Sequence, residues 1–182
     1  MDKDLQKDHS NQLNRSVFLI GLMGSGKSYW TDKLSISLNI PAFHLDDEIE
    51  KAEGKIIAEI FTEKGEAYFR QKENEILKTF AGSKKFILST GGGAPCFHDN
   101  IDWMNTQGIT IWIDEPVETI ASRLVKEKSH RPLIAQIEDK DLKDFLAQMR
   151  EKRKPFYSKA NHHLNSNNIN EKDFLKILSP YE

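Results

Sequence analysis

GLMGSGKS, residues Gly21 to Ser28, follows the apolar run Val17-Phe18-Leu19-Ile20 and precedes Tyr29-Trp30-Thr31-Asp32-Lys33-Leu34. The spacing Gly-x4-Gly-Lys-Ser is the Walker A pattern, in the context that pattern requires: a buried strand before it and a helix after it. Glycines let successive backbone N–H groups turn inward on an anion, the helix N-terminus adds partial positive charge, and Lys27 adds a full one. Gly24, Ser25, Gly26, Lys27, Ser28 and Tyr29 are therefore expected to hold the phosphates of a nucleoside triphosphate. The Ser28 hydroxyl is the expected ligand of Mg2+, because a hard cation bridging two phosphate oxygens needs a small oxygen donor close to the loop.

Working outward, Val17 to Gly21, Ala42 to Leu45, Phe86 to Thr90 and Ile109 to Ile113 are short apolar runs separated by segments with helical spacing. Nearly continuous apolar character suits strands covered on both faces, hence a parallel sheet with helices on either side. His162 to Asn165 is a fifth strand, polar and so at an edge, and Glu171 to Leu178 a last helix. The 182 residues suit one domain, 16–182, preceded by a frayed leader over 1–15. That leader has scattered charges and no apolar core, so it is neither signal peptide nor anchor. A net charge of -2 gives no electrostatic footprint for nucleic acid or an anionic membrane, and a single cysteine, Cys96, excludes a disulfide framework and suits a reducing cytoplasm.

Four polar clusters bear on where the phosphate goes. His44-Leu45-Asp46-Asp47-Glu48-Ile49-Glu50 stands at the carboxyl end of the second strand, where ligands dock on open α/β sheets. A carboxylate there can take a proton from an attacking hydroxyl, while Asp47, Glu48 and Glu50 read as helix N-terminal acids. Arg70 and Glu73 are three apart on one helix face, either as an ordinary surface pair or as part of a site. Gly91-Gly92-Gly93 directly follows a strand and lets a ligand lie against backbone N–H groups, or is simply a flexible connection. A basic stretch carries Arg123, Arg131 and Arg153; Arg131-Pro132 interrupts a helical pattern and puts an arginine on a loop able to close over a transferred group.

GLMGSGKS, DDEIE, IAEIFTEKGEAYFRQKE, STGGG, RPLI and REKRKPFYSKA occur in an order and at separations that resemble the shikimate kinases, over roughly residues 16 to 161. The resemblance implies the nucleoside monophosphate kinase type of P-loop fold: an α/β three-layer sandwich, a five-stranded parallel sheet in order 2-3-1-4-5, helices on both faces. It also implies a lid near 126–137 and a substrate-binding region near 46–75. The activity implied is MgATP-dependent phosphorylation of the 3-hydroxyl of shikimate, a step towards chorismate and the aromatic amino acids. From charge and cysteine content the chain is expected to be cytoplasmic with no nucleic-acid or membrane partner, and it is expected to be a monomer. Residue by residue, Asp46 matches the aspartate that receives the substrate hydroxyl, and Arg70 and Arg153 the two arginines that grip the substrate carboxylate. Glu73 matches the acid that holds the first arginine, and Gly91, Gly92 and Gly93 the glycines against the ring. Arg131 matches the lid arginine on the phosphates, and Arg123 falls near the adenine.

One departure stands out. The family has Asp-x-Asp at the end of strand two, and here His44 occupies the first position, which leaves outer-shell support of Mg2+ to Asp47 or another carboxylate; a rival register assigns the two acidic roles to Asp46 and Glu48. Two other readings remain at this point, a related kinase of another hydroxy acid such as gluconate, and a nucleotide-binding module without catalysis. Cys96 reads as a packing residue, and His162-His163 lacks the further ligands of a metal site.

Overall fold

Ser16–Ile20 (β1) is buried at every position and forms the middle of the sheet. The computed structural model describes residues 13–126, 134–165 and 168–181. Within them β1 is followed by α1 (Lys27–Leu38), β2 (Ala42–His44), α2 (Leu45–Glu53), α3 (Ile57–Lys78), β3 (Ile87–Ser89), α4 (Asn100–Gln107) and β4 (Gly108–Ile113). Then come α5 (Val117–Leu124), α6 (Asp139–Tyr157), β5 (His162–Leu164) and α7 (Glu171–Leu178). The strand order is β2-β3-β1-β4-β5, and every neighbouring pair is parallel. The expected 2-3-1-4-5 sheet is therefore observed.

Alternation along β1 divides the core. Phe18 and Ile20 enter one apolar cluster with residues of α2 to α6, while Val17 and Leu19 enter a second with Trp30 and Leu34 of α1 and Phe174 and Leu178 of α7. This is the period of two in a pleated strand, and it places helices on both faces.

Two boundaries differ from expectation. Leu45 opens α2 instead of closing β2, which carries Asp46 into the first turn of a helix. The leader does not extend through residue 15. Leu13 is buried in the second cluster, the Asn14 N–H donates to Tyr181 O at 2.7 Å, and Arg15 Nη2 donates to Gly108 O at 3.1 Å. Apolar burial and two hydrogen bonds tie these residues down. Most of the expected lid, including Arg131, lies outside the described residues.

Helix α3 carries one deliberate break. Gly65 has φ 79° and ψ 172°, far from helical values, so the segment bends there before the turn that carries Arg70 and Glu73. The positive φ is cheap only for glycine. No described helix is long and apolar enough to cross a membrane.

Candidate active site

The loop after β1 folds around its own lysine. Lys27 Nζ donates to Gly21 O at 2.9 Å and to Leu22 O at 2.7 Å, and Gly26 holds the left-handed conformation (φ 89°) from which α1 starts. Gly21 has φ 143°, and a Cβ there would lie 2.4 Å from Ile113 O, so strand β4 permits only glycine at this point. Gly24, Gly26, Lys27, Ser28 and Tyr29 line a cavity of about 920 Å3. Ser25, also expected to contact phosphate, is fully buried, and its hydroxyl has no hydrogen-bond partner among the described residues. Arg123, on α5, reaches the same cavity and donates from Nη1 to Gly24 O at 3.2 Å, with Glu115 3.5 Å from its Nη2.

A second cavity, of about 520 Å3, is lined by Arg70, Glu73, Arg153 and the three consecutive glycines. It shares Met23, Asp46, Gly91 and Gly92 with the first, so Asp46 stands where the two meet. The sequence-expected residues Asp46, Arg70, Gly91, Gly92, Gly93 and Arg153 thus come together from α2, α3, the turn after β3, and α6.

Electrostatics mark the junction. The Asp46 side chain opens onto the cleft yet is walled in by protein, and this desolvation raises its pKa against the opposing pull of Lys27. Glu73 is fully buried, and desolvation pushes it up to about 7, opposed by Arg70. Its Oε2 accepts from Arg70 Nη1 at 2.7 Å, while Oε1 has no partner among the described residues. The Arg70–Glu73 pair is therefore part of the cavity wall and not a solvated surface pair. Arg70 also donates to Glu66 Oε1 at 3.2 Å and lies 4.6 Å from the Phe97 ring centroid, so its fork is fixed from three sides.

The glycines are narrow by necessity. A Cβ on Gly91 would lie 2.8 Å from Glu73 Oε1, one on Gly92 2.9 Å from Arg153 Nη1, and one on Gly93 2.6 Å from Arg70 Nη2. The Tyr157 hydroxyl donates to Gly92 O at 2.5 Å and holds the loop to α6. Nothing in the sequence pointed to Tyr157, which is 65 positions away from its partner. His44 faces the first cavity and bonds to Ser89 and Asp32, two residues to which the sequence alone assigned no role.

The remaining expectations are simply placed. Cys96 is half-buried and burial pushes its thiol up to about 11, which removes nucleophilic character near neutrality. His163 stacks on Trp112 at 4.0 Å and bonds to Asp114, and His162 bonds to Tyr181. Among the described residues no group of three or more His, Cys, Asp or Glu is arranged to hold a metal by itself. The oxygen donors that line the first cavity include the Ser28 hydroxyl and the carboxylates of Asp46, Asp47 and Glu115, all of them hard. That set suits Mg2+, which keeps most of its waters and binds through phosphates and one or two protein oxygens.

Comparison with known proteins agrees with this geometry. The family model described as shikimate kinase matches residues 23–181. The shikimate kinase of Bacteroides thetaiotaomicron is 39% identical over 156 residues, covering 86% of this chain and 89% of that protein. The shikimate kinase of Aquifex aeolicus is 41% identical over 144 residues, covering 79% and 82%. Among solved structures, the B. thetaiotaomicron enzyme superposes with a TM-score of 0.81 at 37% identity, covering 91% of this chain and 94% of that one. The Acinetobacter baumannii shikimate kinase, solved in complex with shikimate, gives 0.81 at 31% identity, covering 91% and 92%.

Proposed function

The chain belongs to the shikimate kinase family, and on that premise we propose how its two joined cavities carry out the ATP-dependent phosphorylation of the 3-hydroxyl of shikimate. The product, shikimate 3-phosphate, lies on the route to chorismate and the aromatic amino acids. The observation that carries the reading is the shared wall. Asp46, Gly91 and Gly92 border both the Walker A cavity and the cavity of the two arginines, so donor and acceptor meet without an intervening carrier.

ATP is the phosphoryl donor and Mg2+ the accompanying cation. Phosphoryl transfer needs alignment and charge neutralisation more than covalent help. We assign Lys27 and the N–H groups of Gly24, Ser25 and Gly26 to the phosphates, Ser28 to the cation, and Tyr29 and Arg123 to the nucleotide beside them. Magnesium, when bound, draws charge off the phosphate oxygens. Arg70 and Arg153 would grip the substrate carboxylate with planar guanidinium forks and so set which hydroxyl faces the donor. Gly91, Gly92 and Gly93 would take the ring against bare backbone. Asp46, made more basic by its enclosure, would receive the hydroxyl proton. Arg131 is assigned to the transferred group from the lid.

We assign the two cavities to small-molecule substrates and propose that the protein acts as a monomer. The net charge of -2 and the single cysteine support a cytoplasmic enzyme without nucleic-acid partners. The test is ADP release measured with MgATP and a panel of hydroxy acids. Turnover with shikimate and none with gluconate is expected; a chain that hydrolyses or binds ATP with no response to shikimate would overturn the reading.

A further inference from the structure

Three side chains from three elements form a hydrogen-bonded chain beside the nucleotide cavity. His44 closes β2, Ser89 closes β3, and Asp32 lies in the second turn of α1. His44 Nδ1 is 2.7 Å from Ser89 Oγ, and His44 Nε2 is 3.0 Å from Asp32 Oδ1. Sheet register dictates the first contact, because His44 and Ser89 are directly paired between β2 and β3 and side chains at paired positions share a face. Helix geometry dictates the second. Asp32 follows Ser28 by four residues, about one turn, and stands on the same side of α1.

For the neutral imidazole the bonding order fixes the protons. A carboxylate can only accept, so Nε2 carries the hydrogen that goes to Asp32. In the neutral ring Nδ1 is then an acceptor, and the Ser89 hydroxyl has to donate to it. Ser89 has one proton, and with it committed to the ring the oxygen offers only lone pairs to anything else. That oxygen belongs to a residue lining the cavity that also contains Lys27, Ser28 and Asp46. Mg2+ bound there retains several waters, and each water has protons that need fixed acceptors.

We propose that Asp32, His44 and Ser89 act as a positioning relay, in which the α1 carboxylate and the β2 imidazole lock the Ser89 oxygen as an acceptor for a water of the divalent cation at Ser28. The proposal rests on reading the Walker A cavity as the magnesium–nucleotide site. It gives His44 a defined task and gives the site a carboxylate that orients the hydration shell from outside it.

Magnesium dependence of ADP binding, measured by calorimetry without shikimate, tests the relay. Asp32→Ala and Ser89→Ala should each raise the Mg2+ concentration needed for half-maximal ADP binding about tenfold, while ADP affinity in EDTA stays at the wild-type level. The double variant should be no worse than either single one, because the three groups act as one unit. In a His44→Ala background, Asp32→Ala should change nothing further. An unaltered Mg2+ requirement in Asp32→Ala, losses that add in the double variant, or an equal loss of ADP affinity in EDTA would each overturn the relay. Asp32 is 61% exposed, so its replacement decides the matter even if Ser89→Ala fails to fold. Shikimate does not enter the measurement, so a failed relay leaves shikimate phosphorylation standing, and absent shikimate turnover leaves the relay untouched.

Discussion

Arg70 donates from Nη1 to Glu73 Oε2 across 2.7 Å, and Glu73 itself has no exposed surface. A guanidinium held by a buried acid is pre-aimed, so little side-chain entropy remains to be lost when a carboxylate ligand arrives.

Arg70→Ala removes one fork of the clamp and leaves the buried Glu73 carboxyl without its cationic partner. Shikimate binding should weaken by about 2 to 5 kcal/mol, while ADP affinity stays near wild type because no nucleotide contact is assigned to Arg70. Steady-state kinetics with shikimate as the varied substrate checks this. An unchanged shikimate KM would remove Arg70 from the site.

Glu73 makes stability depend on pH in a defined direction. Burial lifts its carboxyl from 4.5 to about 7, so the folded chain holds this proton more tightly than the unfolded chain. The resulting stabilisation is complete below about pH 4.5 and is lost as pH rises through 7. In Glu73→Gln the fall in Tm across that window should be shallower than in the wild type, the remainder coming from Asp46, which is raised in the same direction. Thermal melts as a function of pH provide the comparison, and parallel slopes would count against the assignment.

Two glycines separate catalysis from stability. A Cβ at Gly91 meets the movable ends of Glu73 and Asp46, at 2.8 and 3.1 Å. Gly91→Ala should therefore fold, yet displace Asp46 and lower kcat by about 100-fold. A Cβ at Gly108 meets the Ser16 carbonyl at 2.4 Å, which is backbone of the central strand. Gly108→Ala should lower stability by about 1 to 3 kcal/mol or more, seen as a shifted denaturation midpoint. The reverse pattern would show that the wrong glycine has been assigned to the site.

Tyr157→Phe tests the anchor of the glycine turn. The hydroxyl is buried and bonded to Gly92 O at 2.5 Å, so its loss leaves an unsatisfied carbonyl worth about 1 to 3 kcal/mol. Urea unfolding should report that loss, together with a raised shikimate KM. A variant as stable as the wild type would mean that water replaces the bond.

Much of this was legible in the chain itself, because it depends on local rules. The Walker A spacing needs only a strand, a tight turn and a helix in succession, and Gly21 to Ser28 supplies them. The alternation of apolar runs with helical segments announced a parallel sheet, and even the polar edge strand at His162–Leu164 follows from it. Boundaries were less legible. Leu45 is apolar enough to extend a strand, but the acids that follow it favour a helix start. Leu13 looked like part of a charged tail until the second core cluster gave it somewhere to go.

What sequence determined, then, were the phosphate loop, the layered α/β plan and the residue types able to hold an acid and a phosphate, since each arises from neighbours within a few positions. Only tertiary structure decided that Arg70, Glu73 and Arg153 share one wall, that Asp46 stands between two cavities, and that His44 ties Ser89 to Asp32. Those relations depend on strand order and on how helices pack across the sheet, and such contacts between distant positions leave no periodic trace along the chain.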